Sequence, residues 1–155
     1  MTETAEVDAP EARREEGGDW PGGRRNVLIV DDDAHVRESL TELLEAHGYS
    51  AASAADGRDA LDYLERHAPP DLILLDLKMP HMNGWNFRLQ LERSPLLSGI
   101  PVVLLSGSRS LEAQALALNV DGHLHKPVDS KRLLAIVERY CPAGEVPRRE
   151  GTREF

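Results

Sequence analysis

Five short apolar runs punctuate the middle of the chain, and between them apolar residues recur at three- and four-residue spacing. Asn26-Val27-Leu28-Ile29-Val30 is the first run, Tyr49–Ala54 a weaker second, and Leu72–Leu75 the strongest after the first; Ile100–Leu105 and Gly122–His125 follow. Apolar runs without polar alternation suit strands covered on both faces. Val36, Leu40, Leu43 and Leu44 predict a helix closing near Gly48, and Ala60, Leu61 and Leu64 one ending before Pro69-Pro70. Phe87 and Leu91 suggest a helix after the Asn83-Gly84 turn, and Leu111, Ala115 and Leu118 another. Leu133, Ile136, Val137 and Tyr140 form the face of a last helix, with Asp129 or Ser130 as its N-cap. Strand and helix thus alternate, which predicts an α/β fold: a doubly wound five-stranded parallel sheet with helices on both faces.

Residues 1–24 are rich in Glu, Ala, Gly and Pro and read as a disordered acidic extension; 142–155 read as a disordered tail. The folded unit is then 25–141, a single domain. A formal net charge of −9 argues against a general nucleic-acid-binding surface. Cys141 is the one cysteine, so an intrachain disulfide is excluded and a structural thiol in a reducing cytoplasm is the natural reading. The N-terminal stretch lacks the basic and apolar regions of a secretory signal, and no apolar run has the length of a membrane span. The expectation is a cytoplasmic protein without membrane association.

In doubly wound sheets ligands sit beyond the carboxyl ends of the strands. Those ends carry Asp31-Asp32-Asp33, Asp76, Ser106-Gly107 and Lys126-Pro127. A carboxylate ending a buried strand needs company, because burying it unpaired is costly. Clustered acids repel one another unless a counter-charge is present, and a hard divalent cation such as Mg²⁺ is the usual solution. A carboxylate is also a nucleophile toward phosphorus, and phosphoryl transfer needs mainly positioning and charge neutralisation. Asp33 has a simpler role open to it, capping the helix that follows.

The pattern IVDDD, LLDLKMPHMNGW, VVLLSG and HKP resembles the receiver domain of bacterial two-component response regulators, over about residues 26–140. The resemblance implies the flavodoxin-like strand order 2-1-3-4-5. It implies Asp76 as phospho-acceptor, with Mg²⁺ held by Asp32 and Asp76, by Asp31 largely through water, and by the Lys78 backbone carbonyl. Ser106 stands at the hydroxyl switch position and Lys126 at the lysine that pairs with the phosphoryl group. The peptide bond before Pro127 is cis in that family. Lys78 and Ser108 occupy positions that tune phosphate lifetime, and His123 stands where an aromatic residue is usual.

The function implied is a single-domain response regulator. It accepts a phosphoryl group from a sensor histidine kinase or a phosphotransfer protein. It signals to a downstream protein through the face of helix four, strand five and helix five, or relays the phosphate. No enzymatic activity on other molecules is expected beyond catalysis of its own phosphorylation and dephosphorylation. Nothing after residue 141 is long enough for a DNA-binding or enzymatic output domain. Two alternatives stand beside it. One is a receiver-like interaction module that works without phosphorylation. The other is a phosphatase of the haloacid dehalogenase type, whose second acid would fall where Lys78 stands. His123-x-His125 places two imidazoles on one face of a strand, but no third ligand has suitable spacing for a transition metal.

Overall fold

The computed structural model describes residues 25–77 and 84–141. The extensions predicted over 1–24 and 142–155, and Lys78, lie outside the described residues. Strands β1 (Asn26–Val30), β2 (Ser50–Ala54), β3 (Leu72–Asp76), β4 (Val102–Ser106) and β5 (Gly122–His125) alternate with helices α1 (Ala34–Ala46), α2 (Gly57–Arg66), α3 (Gly84–Arg93), α4 (Leu111–Leu118) and α5 (Ser130–Tyr140). The strands form one parallel sheet in the order β2-β1-β3-β4-β5. The predicted architecture and strand order are those observed.

Every residue of β1, β3 and β4 is buried, which explains why these runs lack polar alternation. Side chains alternate across the sheet, so each strand feeds two cores. Leu28, Val30, Ile73, Leu75, Val102 and Leu104 pack on α2, α3 and α4 through Leu64, Phe87, Leu91 and Leu111. Val27, Ile29, Leu72, Leu74, Val103 and Leu105 pack on α1 and α5 through Leu40, Leu44, Leu133 and Val137. Each fully buried aliphatic side chain contributes about 1.5–3 kcal/mol. Cys141 closes the second core at 1% exposure. Burial, helped by the nearby Asp71 charge and opposed by Arg25, pushes its thiol up to about 12.

The fourth strand begins at Val102, two residues later than the apolar run suggested. Ile100 is buried, but its N–H donates to Leu97 O in the preceding turn, and Pro101 has no N–H to offer a ladder. The helix starts follow local chemistry. Asp33 Oδ1 accepts from the His35 and Val36 amides, Asp56 caps α2 through the Asp59 amide, and Asp129 caps α5 through the Arg132 amide. Gly48, at φ +90°, ends the first helix in a conformation that glycine adopts without penalty.

Two contacts organise the far face. Arg88 on α3 is buried, and its Nε and Nη2 donate to Leu118 O at 3.2 Å and Asn119 O at 2.9 Å, where α4 ends. Gly84 starts α3 with its N–H on Leu77 O at 3.0 Å. A Cβ there would lie 2.8 Å from Leu77 Cα and 2.9 Å from Asp76 O, both backbone atoms. Glycine is therefore required by the close passage of α3 over the end of β3. Among the described residues no helix is long and apolar enough to cross a membrane. Gly84→Ala is expected to destabilise the chain by about 1–3 kcal/mol, the cost of overpacking. The readout is a lower denaturant midpoint with an unchanged m-value.

Candidate functional site

The carboxyl edge of the sheet gathers the acids that lie apart in the chain. Asp31 leaves β1, its N–H still bonded to Ala54 O of β2 at 3.1 Å. Its side chain is wholly buried, and both oxygens are engaged: Oδ1 accepts the Asp33 N–H at 2.9 Å, and Oδ2 accepts Lys126 Nζ at 2.7 Å. Arg37, one turn into α1, donates from Nη1 to Asp31 O at 2.8 Å and holds the loop in place. Asp76 is the last residue of β3 and is 5% exposed. Asp32 is exposed. One carboxylate oxygen each from Asp31, Asp32 and Asp76 lie within 4.8 Å of one another.

Lys126 follows β5 and reaches back across the sheet edge. Its N–H donates to Ser106 O at 2.9 Å, which ties the lysine to the end of β4. Its ammonium lies 2.7 Å from Asp31 Oδ2 and 3.7 Å from Asp76 Oδ1. The Lys126–Pro127 bond is cis. Burial pulls the ammonium's pKa down, but the Asp31 hydrogen bond and the charges of Asp76, Asp31 and Asp32 outweigh it. The pKa therefore lies above the ordinary lysine value, and Lys126 is charged at neutral pH. Its pairing stabilises the fold below the ordinary lysine pKa and is lost only as pH rises through the raised value.

Ser106 is buried at the end of β4. Asp76 pairs with Leu105 across the β3–β4 ladder, so Ser106 stands one step beyond the acid on the neighbouring strand. The Ser108 N–H donates to Ser106 Oγ at 3.1 Å, which orients the hydroxyl and leaves its own proton to donate elsewhere. The Ser108 and Ser110 hydroxyls bond to each other at 3.0 Å.

The donor set suits a hard cation. Three carboxylates meet one ammonium, leaving excess negative charge and oxygen ligands only. Both oxygens of Asp31 are already committed, so Asp32 and Asp76 are better placed to ligate directly. The predicted Lys78 carbonyl lies outside the described residues. Asp31, Asp32, Asp76, Ser106 and Lys126, predicted as one group, all lie at this edge of the sheet. Arg37 carried no expectation, and Gly84 was expected only as part of a turn. Arg37 falls four residues after the capping Asp33, a helical spacing that points it back at the loop; the turn signal at Gly84 does not announce its close approach to the Asp76 backbone.

A family model described as the response regulator receiver domain matches residues 27–138. The chain is 38% identical over 116 residues to the DNA-binding response regulator MtrA of Mycobacterium tuberculosis, covering 74% of this chain and 49% of that protein. It is 46% identical over 112 residues to a protein-glutamate methylesterase/protein-glutamine glutaminase of Treponema pallidum, covering 68% of this chain and 27% of that one. The chain thus spans about half or less of the length of these curated relatives. Among solved structures, Vibrio cholerae chemotaxis protein CheY4 superposes with a TM-score of 0.70 at 29% identity, covering 76% of this chain and 99% of that one. A putative response regulator from Chloroflexus aurantiacus gives 0.71 at 28% identity, covering 76% and 97%.

Removing the ammonium strands Asp31. Lys126→Met should destabilise the metal-free chain at neutral pH by about 2–3 kcal/mol, below the range for a fully buried pair because the lysine is partly exposed. Adding Mg²⁺ should shrink that loss, since a bound cation takes over part of the neutralisation. Urea unfolding of both proteins with and without Mg²⁺ tests this; a loss that Mg²⁺ leaves unchanged contradicts it.

Proposed function

Because this chain belongs to the response regulator receiver domain family, we propose that it is a single-domain response regulator that accepts a phosphoryl group on Asp76. The observation that carries this is the meeting of Asp31, Asp32 and Asp76 within 4.8 Å, with Lys126 bridging Asp31 and Asp76. The donor is a phosphohistidine on a sensor histidine kinase or a phosphotransfer protein. An apolar groove walled by Val36, Leu40, Pro127 and Val128 opens beside Lys126 and suits the side of a donor helix.

An Asp76 carboxylate oxygen attacks phosphorus, the phosphorus–nitrogen bond breaks, and the donor imidazole leaves with the electron pair. Asp32 and Asp76, with Asp31 and the expected Lys78 carbonyl, would hold Mg²⁺, which when bound would supply charge neutralisation to the phosphoryl oxygens. Lys126 contributes a second positive charge and needs little displacement, being already 3.7 Å from Asp76. The Ser106 hydroxyl donates to a phosphoryl oxygen. Its shift toward the phosphate draws on the β4–α4 connection, and so biases the α4–β5–α5 face toward a downstream protein. Water attack on the acyl phosphate resets the system. DNA binding and methylesterase activity are named for longer relatives and are not assigned to this chain. The folded part works in the cytoplasm, as its phosphodonor requires.

Incubation with acetyl phosphate and Mg²⁺, followed by intact mass measurement, should add one phosphoryl group to the wild type and none to Asp76→Asn. Chelation of the metal should abolish the adduct. An unmodified wild type, or an adduct that survives in Asp76→Asn, contradicts the proposal; the former outcome points to a module that works without phosphorylation.

A further inference from the structure

β5 is one of the two edge strands of the sheet, paired only through β4. His123 and His125 project from one face of it, with ring centroids 6.4 Å apart in an edge-on arrangement. Leu124 between them turns to the other face and joins the α1/α5 core. His125 is exposed and His123 half-exposed.

They look into a polar groove of about 660 Å³, room for an ion and several waters at roughly 30 Å³ each. Glu112 of α4 forms one wall, and Arg132 of α5 with its N-cap Asp129 another. Sequence spacing offered no third ligand for the histidine pair; tertiary structure brings two carboxylates to it. Asp129 is committed, since its Oδ2 caps α5 through the Arg132 amide at 3.0 Å. Glu112 is exposed and has no hydrogen bond or ion pair among the described residues. Two carboxylates outnumber the Arg132 charge, so the groove favours a cation.

Imidazole nitrogen selects zinc, copper or nickel over magnesium, and two histidines with one glutamate are a familiar zinc ligand set. The ligands differ in kind from the all-oxygen triad at the sheet edge. Among the described residues only that triad already brings three such groups within 4.8 Å. The two rings and Glu112 must therefore turn inward on binding. His125 and Glu112 are exposed and His123 half-exposed, so rotation meets little packing resistance.

We propose that His123, His125 and Glu112 form a site for a divalent transition-metal ion of the zinc class, which clamps the first turn of α4 to β5. This is independent of whether Asp76 is phosphorylated. The test is equilibrium dialysis of the full chain, without a histidine tag, against Zn²⁺ in a large excess of Mg²⁺. One zinc equivalent is expected. His123→Gln and His125→Gln should each lower the affinity at least about tenfold, the low end of what losing even an outer-shell partner costs. Glu112→Gln should weaken it as well. Without zinc, all three should keep wild-type circular dichroism and thermal midpoint. Asp32→Asn should keep the zinc equivalent. Absence of bound zinc, unchanged affinity in any of the three groove variants, or loss of zinc in Asp32→Asn overturns the site.

Discussion

The hydrogen-bonded ion pair between Lys126 and Asp31 is what lets three carboxylates share one edge of the sheet. A buried carboxylate with one oxygen on an amide and the other on an ammonium 2.7 Å away is satisfied. Without that ammonium it would be a buried charge with half its partners, among the more damaging defects a core can hold. The pair spans 95 residues of chain. Its formation requires β1 and the end of β5 to be in register with everything between them, so the site tests the topology.

The sheet provides that register by burying two cores rather than one. Because each strand alternates its side chains between faces, a one-residue slip would move every leucine and valine to the wrong core and carry Asp76 away from Asp31. The continuous apolar character of β1, β3 and β4 makes the two faces similar in polarity, and the helices differ in what they present. Phe87 and Leu91 fill one side, Leu44 and Leu133 the other. Acid chemistry at the strand ends and hydrophobic packing along the strands are thus two consequences of one alignment.

Much of this was legible in the sequence, and the reasons are local. The run Asn26–Val30 and the segment Gly122–His125 are observed with the predicted limits, because apolar content and flanking acids or turns mark both ends. Asp33 and Asp129 cap helices by a rule that needs only neighbouring residues. The convergence of Asp31, Asp76 and Lys126 followed from topology alone: parallel strands put all their carboxyl ends together. What was not legible depends on partners remote in the chain. Nothing near Arg88 announces that its guanidinium reaches carbonyls at 118 and 119. The start of β4 was misjudged because Ile100 is buried for tertiary reasons and is apolar without being a strand residue.

That guanidinium has a mechanical consequence. α4 is eight residues long, about 12 Å, and its far end is stapled to α3 while its near end begins at Ser110 with no side-chain cap. The far end is held by directed hydrogen bonds and the near end by apolar packing of Leu111, which has no fixed direction, so the helix can pivot as a pointer. Tilting it by about five degrees sweeps the near tip through roughly one ångström. That tip sits just beyond the serine-rich turn leading from β4. Under the proposed function, a displacement the size of a hydroxyl reorienting at Ser106 would be commensurate with a readable movement of the outer surface, with the Arg88 contacts as its fulcrum.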